Sequence, residues 1–133
     1  MDLLVDSNVI LDVLTKDLKW FQWSSEKLAQ SADHYRLLIN CIIYSEISIR
    51  FSQIEDLEEA LPPSWFFRAS IPWEAVFLAG KVFLNYKKQG GIKKTPLPDF
   101  FIGAHAAILN IPLLTRDSKK YSFYFPKLKL ISP

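Results

Sequence analysis

Four acidic residues stand at positions from which their carboxylates could act together. Asp6 comes directly after a short apolar run, and Asp117 comes soon after Leu113-Leu114-Thr115, in each case where a buried strand would end. Asp99 stands at the start of a predicted helix, where backbone amides favour an anion, and Glu46 interrupts an otherwise apolar helical segment. Each acid alone could be an ordinary cap, turn or surface residue, so the combination carries the information.

Carboxylates gathered in this way have a definite chemistry. Clustered carboxylates repel one another and raise one another's pKa values unless a cation compensates their charge. Oxygen ligands suit Mg²⁺ or Mn²⁺. Such an ion can bind a phosphate oxygen, lower the pKa of a bound water and orient that water for in-line attack. The four acids therefore predict phosphodiester hydrolysis without a dedicated side-chain base.

Short apolar strands that alternate with helices must position these acids. This alternation predicts an α/β domain with a central, mainly parallel sheet. The predicted strands are Leu3 to Val5, Arg36 to Asn40, Trp65 to Ala69, Pro112 to Thr115 and Lys127 to Ile131. The predicted helices run from Ser7 or Asn8 to Leu14, from Ser24 or Ser25 to Ala32, from Ile42 to Phe51, from Gln53 to Leu61, onward from Pro72, and from Asp99 to Asn110.

The direction of the strands predicts where the acids meet. In open parallel sheets, sites lie beyond the carboxyl ends of the strands. Asp6 and Asp117 follow two such strands, so both should lie at one edge of the sheet with Asp99 near them. Glu46 could reach this edge from the neighbouring helix.

The composition of the chain restricts the classes of protein to which it can belong. The chain of 133 residues is 50% hydrophobic and 23% charged, which suits one domain spanning residues 1–133 and argues against disorder. No apolar run is long enough to span a membrane, and the acidic start Met1-Asp2 lacks a basic signal-peptide region. Cys41 is the single cysteine, which excludes an intramolecular disulfide and favours a cytoplasmic location.

The charge distribution leaves two interpretations open. The net charge is only +2, but basic residues cluster before Asp99 and again around Asp117. These clusters could bind phosphates, or they could be solvated side chains that keep the protein soluble.

Four segments in order resemble the motifs of a known family. These are Leu4 to Asp12, Tyr44 to Ile47, Leu97 to Ala106 and Leu114 to Tyr121. They are similar to the motifs of PIN domains, most closely those of VapC-type toxins, and their spacing covers nearly the whole chain.

The resemblance implies a PIN-like three-layer α/β/α fold and a metal-dependent endoribonuclease that cleaves RNA. It implies a toxin with a cognate antitoxin, frequent homodimers, and Mg²⁺ or Mn²⁺ as cofactor. By position, it implies Asp6, Glu46, Asp99 and Asp117 as the catalytic and metal-binding acids, with Asn8 and Thr115 in support. Candidate RNA phosphate contacts are Arg116, Lys119, Lys93 and Lys94.

Several other residues have simpler expected roles. We expect Gly103 to serve helix packing and His105 to be a satisfied or exposed histidine rather than a ligand. Asp2 and Asp12 are expected at ordinary surface positions. The aromatic segment Trp65 to Phe67 is expected to anchor the core or a loop.

A second aromatic cluster, Trp20, Phe21 and Trp23, is predicted to lie in a loop. It could anchor that loop or contact another chain. Base stacking ranks third among its possible roles.

Three other functions compete with metal-dependent RNA cleavage. The chain could be a non-catalytic protein-binding module whose acids hold a structural ion or none. Asp6 after a strand resembles the nucleophile of haloacid-dehalogenase-like phosphatases, although those enzymes usually have a second Asp where this chain has Asn8. Metal-independent ribonucleases often pair two histidines, and His34 and His105 are the only ones present.

Overall fold

The computed structural model describes residues 1–133 and contains five strands and seven helices. The strands are β1 (Asp2–Val5), β2 (Arg36–Ile39), β3 (Phe67–Arg68), β4 (Leu113–Leu114) and β5 (Leu130–Ile131). The helices are α1 (Ser7–Leu14), α2 (Phe21–Ala32), α3 (Cys41–Ser48), α4 (Ile54–Ala60), α5 (Trp73–Lys88), α6 (Pro98–Leu109) and α7 (Ser118–Tyr124). No helix is both long and apolar enough to cross a bilayer.

One parallel sheet forms the centre of the molecule, with the strand order β3-β2-β1-β4-β5. The register pairs Leu3 with Leu37 and Val5 with Leu114, and all four strand pairs are parallel. The connections from β1 go first to β2 on one side and later return to β4 on the other. This switch point lies between β1 and β4, where open α/β sheets form a crevice for ligands.

The core follows from the apolar strands expected from the sequence. Three successive residues of β1 and three of β2 are buried, as expected for a sheet covered by helices on both faces. The α/β fold with a central parallel sheet is therefore confirmed, and the sheet is parallel throughout.

The structure contains one helix that was not predicted and one whose predicted start was wrong. The sequence analysis predicted no helix where α7 lies, because seven residues are too few to establish an apolar period. Helix α2 begins at Phe21, not at Ser24, because the Asp17 carboxylate accepts the backbone amides of Lys19 and Trp20 at 3.0 and 2.8 Å and starts the turn early. Phe21 and Trp23 are therefore helical rather than loop residues.

Candidate active site

Asp6 is the most deeply buried acid at the carboxyl edge of the sheet. It directly follows β1 and caps α1, so its Oδ1 accepts the backbone N–H of Ser7 at 2.8 Å. Asp6 is buried, with only 3% of the residue's surface exposed. The Thr115 hydroxyl, at the end of β4, donates to Asp6 Oδ2 at 2.8 Å. The two central strands thus bring their first polar residues together at the switch point.

Asn8 and Thr115 lie where the sequence predicted supporting residues. The Asn8 amide reaches Asp6 Oδ2 at 3.4 Å and Thr115 Oγ1 at 3.3 Å. Thr115 Oγ1 also accepts the backbone N–H of Asp117 at 3.0 Å. Asn8 Oδ1 accepts the backbone N–H of Arg116 at 3.2 Å. These contacts join the first turn of α1 to the β4–α7 connection.

The Tyr121 hydroxyl joins Asp6 to Asp99. It lies 3.1 Å from Asp6 Oδ2 and 3.2 Å from Asp99 Oδ1. Tyr121 is almost completely buried, so packing fixes the position of this hydroxyl. A phenol carries one proton and donates to one carboxylate at a time. Asp99, in the first turn of α6, therefore faces the same point as Asp6.

Glu46 reaches the same edge from α3. Its Oε1 accepts the Ser7 hydroxyl at 2.8 Å, and Ser7 donates its backbone N–H to Asp6. Ser7 therefore connects the predicted acid on α3 with the acid that follows β1. The sequence analysis did not single out Ser7, which is a buried polar residue.

Asp117 and Asp99 share a cation from the protein itself. The Lys120 ammonium lies 2.7 Å from Asp99 Oδ2 and 3.7 Å from Asp117 Oδ2. Asp117 caps α7 by accepting the backbone N–H of Lys120 at 3.4 Å. All four predicted acids are thus tied to one network at the carboxyl edge of the sheet.

The pKa directions show that the acids influence one another. Burial raises the pKa of Asp6 to about 6, and the charges of Asp99 and Glu46 add to this rise, while the Thr115 and Tyr121 hydroxyls oppose it. Burial also raises the pKa of Glu46, again with a contribution from Asp99. Burial keeps the pKa of Tyr121 well above its usual value, so its hydroxyl stays protonated. The site therefore holds carboxylates in surroundings that disfavour their charge.

Sequence comparison decides the family. The family model of the PIN domain matches residues 3–126, nearly the whole chain. The chain belongs to the PIN domain family. The match includes every element that carries Asp6, Glu46, Asp99 and Asp117. No curated protein matches the sequence significantly.

Solved toxin–antitoxin structures share the fold of this PIN domain. VapBC2 from Rickettsia felis, bound to a promoter DNA fragment, contains a chain with a TM-score of 0.75 and 19% identity, covering 100% of this chain and 99% of that one. VapBC-1 from nontypeable Haemophilus influenzae gives 0.72 and 23%, covering 99% and 98%. FitAcB from Neisseria gonorrhoeae gives 0.72 and 16%, covering 98% and 97%. At these identities, the likeness establishes the shared fold.

The donor set of the PIN domain suits a hard divalent ion. No group of three or more His, Cys, Asp and Glu side chains is arranged, as it stands, to hold a metal. However, Asp6 and Asp99 each place an oxygen near the Tyr121 hydroxyl, and the carboxylate of Glu46 is joined to Asp6 through Ser7. Mg²⁺ commonly binds through one or two carboxylates, with waters and substrate phosphates as its other ligands. The residues present therefore fit such an ion.

Arg116 makes a contact that the sequence did not suggest. Its guanidinium forms a bidentate pair with Asp12 at 2.6 and 3.0 Å, and the Ser24 hydroxyl donates to the same carboxylate at 2.6 Å. The expected surface position for Asp12 was wrong, because Asp12 is buried at 3% exposure. The guanidinium also lies over the Trp20 ring, so Trp20 anchors this pair. Arg116 is thus engaged within the protein.

The three candidate phosphate-binding lysines remain free of such contacts. Lys119 lies on α7, and Lys93 and Lys94 lie in the connection between α5 and α6; all three are exposed. Their side chains form no ion pair in the structure, which leaves their ammonium groups available.

His105 and Gly103 have structural roles within α6, where a Cβ added at Gly103 would lie 2.3 Å from the Phe125 ring. The His105 ring is fully buried, and its Nδ1 accepts the Asn40 amide at 2.9 Å, whereas its Nε2 has no hydrogen-bond partner. The expectation of a satisfied or exposed histidine is therefore met at one ring nitrogen only. Asn40 in turn caps α3 by accepting the backbone N–H of Ile43 at 2.9 Å. This pair links the helix of Glu46 to the helix that begins beside Asp99.

The sequence analysis missed Lys120 and Tyr121 as site residues. They stand three and four residues after Asp117, so one helical turn brings both onto the side of α7 that meets the acids. Recognition of Asp117 as a helix cap would have supplied the signal, because polar side chains one turn beyond a site residue return to that site.

Proposed function

We propose that this PIN domain is a metal-dependent endoribonuclease that hydrolyses RNA phosphodiester bonds as the toxin of a type II toxin–antitoxin pair. The observation that carries the proposal is the approach of Asp6 and Asp99 to one hydroxyl at the switch point of the sheet. Membership of the PIN family and the fold shared with solved toxin–antitoxin proteins support it.

The proposed roles follow from the contacts. Asp6, Glu46, Asp99 and Asp117 are the catalytic acids and the ligands for Mg²⁺ or Mn²⁺. A bound ion would bind a phosphate oxygen and lower the pKa of the attacking water. Thr115 orients Asp6 through their 2.8 Å hydrogen bond, with support from Asn8.

RNA would approach across the exposed basic residues near the acids. Lys119 lies beside the site on α7, and Lys93 and Lys94 precede the helix that carries Asp99. We propose these three lysines as phosphate contacts because phosphate binding is largely electrostatic. We assign Arg116 to positioning of the β4–α7 connection, because its guanidinium already pairs with Asp12.

We propose two partners for this toxin, a cognate antitoxin and a second copy of the chain. We place the protein in the cytoplasm. The solved complexes of related fold support the antitoxin. An apolar groove of about 700 Å³ between α1, α2 and the α4–β3 connection offers surface that such a partner could cover. Co-purification with the product of a neighbouring small gene would test this proposal.

The decisive experiment compares Asp99→Asn with Asp2→Asn. Both variants lose one negative charge, but Asp2 lies at the opposite, amino end of β1. In a contaminant-free preparation with Mn²⁺ or Mg²⁺, we expect Asp99→Asn to reduce RNA cleavage by at least about 100-fold, because even residues outside the ligand shell cost about 10- to 100-fold. Asp2→Asn should cleave normally, and EDTA should stop both the native chain and this control.

Two results would refute the proposal. Full activity of Asp99→Asn would remove the acids from catalysis, and cleavage that survives EDTA would remove the metal. A native chain that neither binds Mn²⁺ nor cleaves RNA would favour the alternative, a non-catalytic protein-binding module.

A further inference from the structure

Both carboxylate oxygens of Asp99 are already occupied by α7. Oδ1 lies 3.2 Å from the Tyr121 hydroxyl, and Oδ2 lies 2.7 Å from the Lys120 ammonium. A divalent ion that binds Asp99 must therefore replace at least one of these contacts. The two side chains differ in their freedom to move, and this difference indicates which contact is replaced.

Tyr121 is fixed, whereas Lys120 is free to move. The Tyr121 side chain is 1% exposed, and its ring is enclosed by the core. The Lys120 side chain is 42% exposed and ends in a flexible stem of four carbons. Displacing the ammonium into water needs only rotation about its side-chain bonds. Displacing the phenol would open the core.

The ammonium is also placed as a counter-ion for the acidic cluster. It lies 2.7 Å from Asp99 and 3.7 Å from Asp117. The negative charge of Asp99 in turn contributes to the raised pKa values of Asp6 and Glu46. No other Lys or Arg forms an ion pair with any of these four acids.

We propose that Lys120 is a tethered cation that takes the place of the divalent ion on Asp99 in the metal-free protein and is displaced when that ion binds. This inference rests on the proposed function, because it concerns the same acidic site. In this role, Lys120 stabilises the carboxylates of the metal-free protein and lowers their affinity for the divalent ion. The Tyr121 hydroxyl keeps Asp6 and Asp99 facing each other in both states.

The test measures Mn²⁺ binding by calorimetry, without RNA, for the native chain and two variants. Lys120→Met keeps most of the apolar stem and removes the charge. Lys119→Met makes the same charge change on the neighbouring residue of α7, which has no ion pair. An ion pair of this exposure supports an affinity change of about two- to fivefold. We therefore expect Lys120→Met to bind Mn²⁺ about two- to fivefold more tightly than Lys119→Met.

Thermal unfolding gives a second readout of the same exchange. In EDTA, Lys120→Met should melt below Lys119→Met, because the carboxylates lose their counter-ion. In saturating Mn²⁺ this difference should disappear, because the divalent ion supplies the charge in both variants. A structural role of Lys120 unrelated to metal would lower the melting temperature equally in both conditions.

The outcomes separate this inference from the proposed function. If native protein binds Mn²⁺ and Lys120→Met binds it no more tightly than Lys119→Met, the tethered-cation role is overturned and the nuclease proposal stands. If no variant binds Mn²⁺, both are overturned.

Discussion

The Asp12–Arg116 pair allows a sharp test of burial as the source of its stability. Arg36 forms a second bidentate pair, with Asp2 at 2.9 and 3.1 Å, so the two pairs have similar geometry. They differ in exposure, because the Asp12 side chain is 3% exposed and the Asp2 side chain is 31% exposed. The perturbation is Arg116→Gln, with Arg36→Gln as its matched control.

The expected magnitudes follow from solvation. Removing one partner of a buried ion pair costs about 3–5 kcal/mol, because the remaining charge is left in the protein without compensation. Arg116 itself is 29% exposed, so we expect the low end, about 3 kcal/mol, with the Ser24 hydroxyl as the remaining partner of Asp12. The exposed Arg36 pair should contribute much less, because solvent screens it.

Urea unfolding at pH 7 in EDTA measures both changes as free energies of unfolding. A double-mutant cycle with Asp12→Asn isolates the pair from other effects of the arginine, including its contact with Trp20. Equal losses for Arg116→Gln and Arg36→Gln would refute the reasoning, because burial would then make no difference.

Two further predictions concern pH and packing. Because the pKa of Asp6 is raised from 3.8 to about 6, the folded metal-free protein holds this proton more tightly than the unfolded chain does. Its stability should therefore fall by up to about 3 kcal/mol as pH rises through this window. Free energies of unfolding from urea titrations in EDTA between pH 4 and 8 should depend less on pH in Asp6→Asn. An unchanged pH profile would contradict the assignment of this dependence to Asp6. Gly103→Ala should cost about 1–3 kcal/mol, because its new Cβ would lie 2.3 Å from the Phe125 ring. Gly80→Ala, on an open face of α5, should instead stabilise by up to about 1 kcal/mol in the same assay, and equal effects would contradict the packing argument.

The sequence was sufficient to predict the sheet and the edge at which the four acids come together, because these signals are local. Asp6 follows β1 by one residue and Asp117 follows β4 by three, and strand direction then places both at one edge. Asp12 and Tyr121 could not be assigned in this way. Their partners lie 104 and 115 residues away, and only tertiary folding brings Arg116 onto Asp12 or Tyr121 onto Asp6.

Helix α5 shows a different limit of sequence patterns. Its large apolar residues recur at helical spacing and correctly predict a helix, yet Trp73 and Phe77 are 85% and 67% exposed. The buried face instead contains Ala75 and Ala79. Small side chains allow two helices to approach closely, and α5 packs extensively against α6. Hydrophobicity predicted the element, whereas side-chain size decided which face it buries.

The acidic network is difficult to explain as an aid to folding. Burial raises the pKa of both Asp6 and Glu46, so keeping these carboxylates charged at neutral pH makes the metal-free fold less stable. The hydroxyls of Thr115 and Tyr121 reduce this cost but do not remove it, since the pKa of Asp6 remains near 6. An apolar or amide side chain at position 6 would avoid it altogether. Residues that oppose stability in this way are typical of functional sites, and a divalent cation would turn the unfavourable charge into binding energy.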